Sequence, residues 1–139
     1  MSKHTIEYTG NMHCLVRHGP SGKTMETDAP VEVGGLGQNF SPTDLVAVAL
    51  GACIASVLGP FAERRGWDLR GMRIDVTKVM EDQPVRRIAE LKVEMWLPLD
   101  LPEADKKVLE AVALKCPVHR SLREGVATPI QFHWGVQQP

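Results

Sequence analysis

A continuous apolar segment between Leu45 and Leu58 limits the folds open to this chain more than any other feature. Ser56 is the only clearly polar residue in it, so a helix formed here is apolar on every side instead of along one stripe. A membrane-crossing helix needs roughly 18 or more apolar residues, and this segment is shorter. We therefore expect protein to surround the helix.

Signals for the ends of this helix stand on either side of the segment. Ser41 can cap the first turn, Pro42 suits the first helical position, and Asp44 completes a capping box. Pro60 predicts a kink, because proline lacks a backbone donor and clashes with the preceding turn. Gly66 follows a basic last turn and predicts the end. The sequence thus predicts one long, kinked helix.

Strand patterns precede and follow this helix. Polar and apolar residues alternate in them, which is typical of sheets with one buried face. The other predicted elements are a hairpin turning at Gly10-Asn11, strands at 23–27, 72–77, 89–97 and 130–134, a helix from 100 to near Lys115, and a helical piece at 118–124. This order predicts an α+β fold in which antiparallel sheets enclose the long kinked helix, as a single domain over residues 1–139.

The length of 139 residues has a consequence for assembly. One other substantial helix and about six strands can cover two sides of a helix that is apolar all round. A second copy of the chain is the simplest cover for the remaining sides. We therefore predict a symmetric homodimer with a large apolar interface.

The charge balance argues against two classes of partner. Lys and Arg total 16 against 17 Asp and Glu, a formal net charge of -1. Proteins that bind nucleic acid or anionic membranes normally carry clustered Lys and Arg, so we expect neither partner. The N-terminal residues show no signal-peptide pattern, which predicts a cytoplasmic location where thiols stay reduced.

Three cysteines, Cys14, Cys53 and Cys116, are too few for a disulfide scaffold. The simplest interpretation of Cys53 is a buried small side chain, since free cysteine is among the most buried residue types. Gly51 is costly inside a helix and indicates that something approaches the backbone closely. Cys116 lies at a helix end beside Pro117, where a thiol can face a cleft. Cys53 and Cys116 suit a peroxidatic and resolving pair, although spacing alone does not establish it.

No metal or cofactor site is predicted. Cys116 and His119 could supply two metal ligands, but structural zinc takes four, and no second Cys/His pair has ligand spacing. The glycine-rich stretch at 34–37 lacks the Gly-Lys-Ser/Thr ending of a phosphate loop and is interpreted as a connecting loop. Cys14, on a hairpin strand, is interpreted as a packing residue.

Three segments together resemble the OsmC/Ohr family. They are Ser41-Pro42-Thr43-Asp44-Leu45, the small-residue run from Ala47 to Ala52 that ends in Cys53, and Cys116-Pro117-Val118-His119-Arg120-Ser121-Leu122. The resemblance covers essentially the whole chain and is closer to the broader OsmC-like group than to the Ohr branch. It implies an intertwined α+β homodimer with active sites at the subunit interface, and thiol-dependent reduction of organic hydroperoxides.

The resemblance also implies roles for particular residues. Cys53 matches the peroxidatic position and Cys116 the resolving position, with a disulfide between them that an external dithiol reduces. Members of the family carry a cation that activates the thiol and an acidic residue near the helix start that orients the cation. In this sequence the candidate cations are Arg17 and Lys23, and the candidate acid is Asp44.

The sequence leaves open two functions from different classes, besides a third, a simple structural stress protein. The first is a thiol peroxidase that reduces small apolar peroxides, in defence against oxidative or osmotic stress. The alternative is a non-catalytic dimer that binds an apolar small molecule and keeps its cysteines for packing or redox sensing. The reactivity of Cys53 toward a hydroperoxide separates the two.

Overall fold

The computed structural model describes residues 1–122 and 124–136, and these ranges have a mixed α+β architecture. In chain order the elements are β1 (His4–Gly10), β2 (His13–His18), β3 (Thr24–Thr27), α1 (Pro42–Glu63), β4 (Arg73–Glu81), β5 (Arg87–Leu97), α2 (Glu103–Ala113), α3 (Pro117–Ser121) and β6 (Ile130–Trp134). The predicted α+β class is confirmed. The helical piece expected at 118–124 is α3, and residue 123 lies outside the described residues.

The chain divides into two compact units, and their boundary falls inside α1, after Val46. In the first unit β1, β2 and β3 form an antiparallel sheet with β2 in the middle. Asn11 and Met12 connect β1 to β2 with φ values of 51° and 62°. Positive φ at both residues is what a two-residue type I′ hairpin turn requires. The predicted hairpin is confirmed, with its turn at Asn11-Met12, one residue later than the expected Gly10-Asn11.

A buried carboxylate organises the loop after β3. Asp28 is 0% exposed and accepts hydrogen bonds from the backbone N–H groups of Ala29, Leu36 and Gln38, at 2.7, 3.4 and 3.0 Å. Nε2 of His13 lies 3.3 Å from the same carboxylate. These donors, the Gln38 N–H first among them, hold the pKa of Asp28 below its usual value. The carboxylate therefore ties down the loop near both of its ends.

The second unit contains a mixed sheet with β5 between β4 and β6. β4 and β5 pair antiparallel, as predicted, whereas β6 runs parallel to β5. This last pairing departs from the expected antiparallel arrangement. Parallel neighbours need a long crossover connection, and α2 and α3 supply it because they lie between β5 and β6 in the chain.

α1 is the longest helix of the described chain and has two different sides. It spans 22 residues and continues through Pro60, so the predicted kink there stays a prediction. Its buried residues form one side: Ala47, Leu50, Gly51, Ile54, Leu58 and Ala62. On the other side Val48 is 46% exposed, and Ala49 and Ala52 are exposed as well. An apolar side of α1 is therefore left uncovered by the residues that the structure describes.

α1 has 22 residues and is longer than the apolar segment Leu45–Leu58, which by itself is too short to cross a membrane. Its most apolar 18 residues have a mean hydropathy of 2.2, and 33% of them are buried. By length and composition alone such a helix is able to cross a membrane. Core helices of soluble proteins can be equally long and apolar, so length and hydropathy do not distinguish a core helix from a membrane-spanning one.

Candidate functional site

Cys53, the first candidate residue, lies on α1, a helix that begins with a capping box. The Ser41 hydroxyl accepts a hydrogen bond from the Asp44 N–H at 3.1 Å, and the Asp44 carboxylate accepts one from the Ser41 N–H at 2.9 Å. This is the reciprocal capping box that the sequence predicts. Nine residues beyond Asp44, Cys53 is half-buried at the edge of the buried side of α1. The helix thus presents the thiol at a border between core and surface.

Gly51 allows α1 to approach β4 closely. A Cβ atom at Gly51 would lie 3.1 Å from Cγ2 of Val76 and 3.5 Å from Cγ2 of Ile74. The close approach that the sequence indicates for Gly51 is therefore made by side chains of β4. Cys53 lies two residues further along the same helix. The contact between α1 and β4 therefore helps to set how far the Cys53 sulfur lies below the protein surface.

Cys116 caps the N-terminus of α3. The residue has an extended backbone, with φ of -53° and ψ of 125°, and Pro117 occupies the first helical position. Proline has no N–H, so no donor is left unsatisfied there. The Cys116 Sγ accepts a hydrogen bond from the backbone N–H of His119 at 3.5 Å. The Cys116 side chain is 0% exposed.

The fold brings Cys53 and Cys116 together. The two thiols lie near enough for Cys53 to act on the pKa of Cys116, although 62 residues, 54 to 115, stand between them in the sequence. Burial, and then the neighbouring Cys53, raise the pKa of the Cys116 thiol above its usual value, while the N–H groups of His119 and Val118 act in the opposite direction. A half-buried cysteine therefore lies near an enclosed thiol whose raised pKa keeps it protonated at neutral pH.

Two neighbouring thiols can be oxidised together to a disulfide and reduced again when an oxidant and a reductant alternate. Oxidation of one sulfur to a sulfenic acid allows the other to condense with it, which protects the first from irreversible oxidation. Of the two cysteines, Cys53 is the more exposed.

The remaining candidates lie in other parts of the fold. Arg17 is exposed on β2, opposite Thr5 and Thr24, and Lys23 is exposed in the turn before β3. Both belong to the first compact unit, whereas both cysteines belong to the second. The carboxylate of Asp44 is engaged in the capping box. The proposed action of Arg17, Lys23 and Asp44 on Cys53 stays a prediction.

Cys14 is half-buried on β2, between Tyr8 of β1 and Thr27 of β3. Within residues 1–122 and 124–136, no group of three or more His, Cys, Asp or Glu side chains is placed to hold a metal ion. Sequence reasoning missed Asp28, and no local signal identifies it. Two of its three backbone donors come from residues eight and ten positions away.

Comparisons with known proteins agree with this architecture. A family model described as OsmC-like protein matches residues 35–131. A putative osmotic stress induced and detoxification response protein from Psychrobacter arcticus is 32% identical, with a TM-score of 0.89 and 96% of each chain covered.

Two more distant structures share the fold. An organic hydroperoxide resistance protein OsmC from Legionella pneumophila is 18% identical, with a TM-score of 0.73 and coverage of 95% of this chain and 96% of that one. The organic hydroperoxide resistance protein OhrB of Bacillus subtilis is 16% identical, with a TM-score of 0.72 and coverage of 96% and 98%. No curated protein sequence matches the chain.

Proposed function

Because this chain belongs to the OsmC-like protein family, we propose that it is a thiol-dependent peroxidase that reduces organic hydroperoxides in defence against oxidative or osmotic stress. The observation that carries the proposal is the proximity of the half-buried Cys53 to the enclosed Cys116, whose pKa Cys53 helps to raise. The names of the Legionella and Bacillus proteins, which share the fold, point in the same direction.

In the first step the thiolate of Cys53 attacks the distal oxygen of the hydroperoxide. A sulfur–oxygen bond forms, the oxygen–oxygen bond breaks, and the alcohol leaves after it takes up a proton. Cys53 becomes a sulfenic acid. Its half-buried position supports this role, and the exposed Val48, Ala49 and Ala52 on the same helix offer apolar surface to an alkyl chain.

In the second step the thiol of Cys116 condenses with the sulfenic acid. A disulfide bond forms between the two sulfurs, and the sulfenic hydroxyl leaves as water with the thiol proton. Because the thiolate is the attacking form and burial raises the pKa of Cys116, its proton has to leave as the sulfur–sulfur bond forms. An external dithiol then returns both cysteines to the reduced state and is itself oxidised to a disulfide.

A cation near Cys53 would favour its thiolate over the thiol. Arg17 and Lys23 are the proposed sources of this charge, and Asp44 is the proposed carboxylate that orients it. The dipole of α1 contributes little at Cys53, because the effect falls off within the first turn and Cys53 lies nine residues beyond Asp44.

The proposed assembly is a homodimer in the cytoplasm with its active sites at the subunit interface. The uncovered apolar side of α1, which includes Val48 and Ala52, supports a second copy as its cover. A second copy placed there would lie beside Cys53 and enclose the alkyl part of a substrate. The single-domain organisation of the chain also stays part of this proposal.

Titration of the reduced protein with tert-butyl hydroperoxide tests the function. The wild type and the matched control Cys14→Ser should each lose two thiols and gain the Cys53–Cys116 disulfide, which peptide mapping identifies. Cys116→Ser should stop at a sulfenic acid that dimedone traps, and Cys53→Ser should not react. If Cys53 stays unmodified in the folded protein under excess hydroperoxide, the proposal fails and the non-catalytic binding function takes its place.

A further inference from the structure

We propose that formation of the Cys53–Cys116 disulfide uncaps α3, so that this short helix is ordered in the reduced protein and loosened in the oxidised one. The inference rests on the proposed function, which supplies the oxidant, and it extends that function from the two sulfurs to the backbone. The site then converts a change at two sulfur atoms into a change in the order of a whole segment.

Cys116 is both the N-cap of α3 and the tie between this helix and the core. Its Sγ accepts the hydrogen bond from the His119 N–H at 3.5 Å. The side chain of Cys116 is 0% exposed, whereas none of the five residues that the structure describes in α3, Pro117–Ser121, is buried. The position of the Cys116 sulfur therefore decides how the first turn of α3 is held.

α3 is too short to be stable without such support. Isolated helices shorter than about 12 residues are marginal in water, and α3 has five. The Arg120 N–H donates to the carbonyl of Cys116 at 3.0 Å, and the Leu122 N–H donates to the carbonyl of Val118 at 3.1 Å. Loss of a cap destabilises the first turn of a helix, and a helix of this length consists of little more than that turn.

Formation of the disulfide requires one of the two sulfurs to move. Both cysteines are free in this structure, and a covalent bond brings two sulfurs more than about 1 Å closer than a non-bonded contact does. Cys53 lies inside the 22-residue helix α1, which packs closely against β4 at Gly51. Cys116 lies between α2 and α3, outside both helices. We therefore expect the Cys116 sulfur to move toward α1.

A movement of this size breaks the cap. The hydrogen bond from the His119 N–H is 3.5 Å long, and sulfur is a weak acceptor. A shift of Sγ toward Cys53 lengthens the distance to this donor and leaves the N–H without its acceptor. On the other side of Cys116, its own N–H donates to the carbonyl of Ala113 at 3.2 Å, a bond that does not involve the sulfur. The loosening is therefore confined to the residues after the cap.

The oxidation balances in the same way with two different oxidants. Two thiols give up two electrons and two protons and form one disulfide. A hydroperoxide takes them up and becomes an alcohol and water, whereas diamide takes them up and becomes the corresponding hydrazine. The structural change belongs to the disulfide, so it should not depend on which oxidant forms the bond.

Amide hydrogen exchange of the reduced and oxidised protein tests the inference. Cys14→Ser serves as the background, diamide forms the disulfide, and intact mass with peptide mapping verifies it. The His119 amide reports on the cap, and the amides of α2 are the internal reference. Two variants of the reduced protein isolate the cap: Cys116→Ala removes the acceptor, and Cys116→Ser replaces it with a hydroxyl oxygen, which caps helices well.

The His119 amide should exchange at least about fivefold faster in the oxidised protein than in the reduced one, with the α2 amides unchanged. Cys116→Ala should exchange like the oxidised protein, and Cys116→Ser like the reduced one. Equal or slower exchange after oxidation, an equal acceleration in α2, or a slow His119 amide in Cys116→Ala overturns the inference. If diamide forms the disulfide but hydroperoxide does not, the proposed function fails while the response of α3 is still measured. If diamide forms no disulfide, both proposals fail.

Discussion

Replacement of Gly51 with alanine tests whether the contact between α1 and β4 restricts the helix that carries Cys53. The added Cβ would lie 3.1 Å from Cγ2 of Val76 and 3.5 Å from Cγ2 of Ile74. Carbon atoms in favourable contact lie about 3.5–4.0 Å apart, so only the Val76 contact is too close. Either α1 or the Val76 side chain must then move by a few tenths of an ångström.

Two opposing effects set the size of the change. Glycine in a helix interior costs about 1 kcal/mol relative to alanine, so helix propensity alone stabilises the variant by that amount. Overpacking of a well-packed core costs about 1–3 kcal/mol, and Gly51 is among the buried residues of α1. We expect Gly51→Ala to lower the free energy of unfolding by about 0–2 kcal/mol.

Val76→Ala supplies the matched background, because it removes the methyl group at 3.1 Å. There Gly51→Ala should raise the free energy of unfolding by about 1 kcal/mol, so the coupling between the two positions is about 1–3 kcal/mol. Urea denaturation followed by tryptophan fluorescence measures all four proteins. The three tryptophans, Trp67, Trp96 and Trp134, belong to the same compact unit as both positions.

One result refutes this reasoning. If Gly51→Ala stabilises the wild type as much as it stabilises Val76→Ala, the coupling is below about 0.5 kcal/mol and the contact does not constrain the helix. Gly51 would then have no packing role, and the depth of Cys53 would not depend on β4.

Two further predictions concern the first compact unit and the assembly. Asp28→Asn weakens the acceptor of the Gln38 N–H and should speed exchange of that amide proton with solvent. The control is Asp68→Asn, which should leave this exchange unchanged. It alters an exposed carboxyl whose pKa Arg70 lowers to about 2. Because the Asp28 pKa is lowered, its contribution to stability is present at neutral pH and is lost as the pH falls below 3.8 through its value in the folded protein. The urea midpoint of the wild type should therefore fall more on acidification than that of Asp28→Asn, and an equal fall contradicts the assignment. Val48→Glu places a charge on the uncovered side of α1 and should halve the mass found by sedimentation; a wild type that sediments as a monomer contradicts the homodimer.

Local patterns explain why most elements of the fold were predictable. Alternating polarity, the Gly10-Asn11 turn and the capping box of Ser41 and Asp44 each act over a few neighbouring residues, and the structure has a strand, a turn or a helix start at each. The parallel direction of β6 could not be predicted from such local patterns. It depends on the path of the chain through α2 and α3, which polarity patterns do not describe.

The limits of local reasoning are clearest at Asp28. Its donors come from residues one, eight and ten positions away and meet only when the loop folds back. An aspartate before Ala29-Pro30 looks like an ordinary turn residue in the sequence. Only the tertiary structure shows that its carboxylate is buried and holds the loop.

By itself, the sequence determined the long apolar helix, the thiol in its middle and a second thiol at a helix break, because capping, polarity and proline act locally. Only the tertiary structure decided how those thiols differ. The proximity of Cys53 to Cys116, the enclosure of Cys116 and the partial exposure of Cys53 depend on packing between segments far apart in the chain. The proposed order of reactivity therefore depends on burial, which residue types and spacing do not specify.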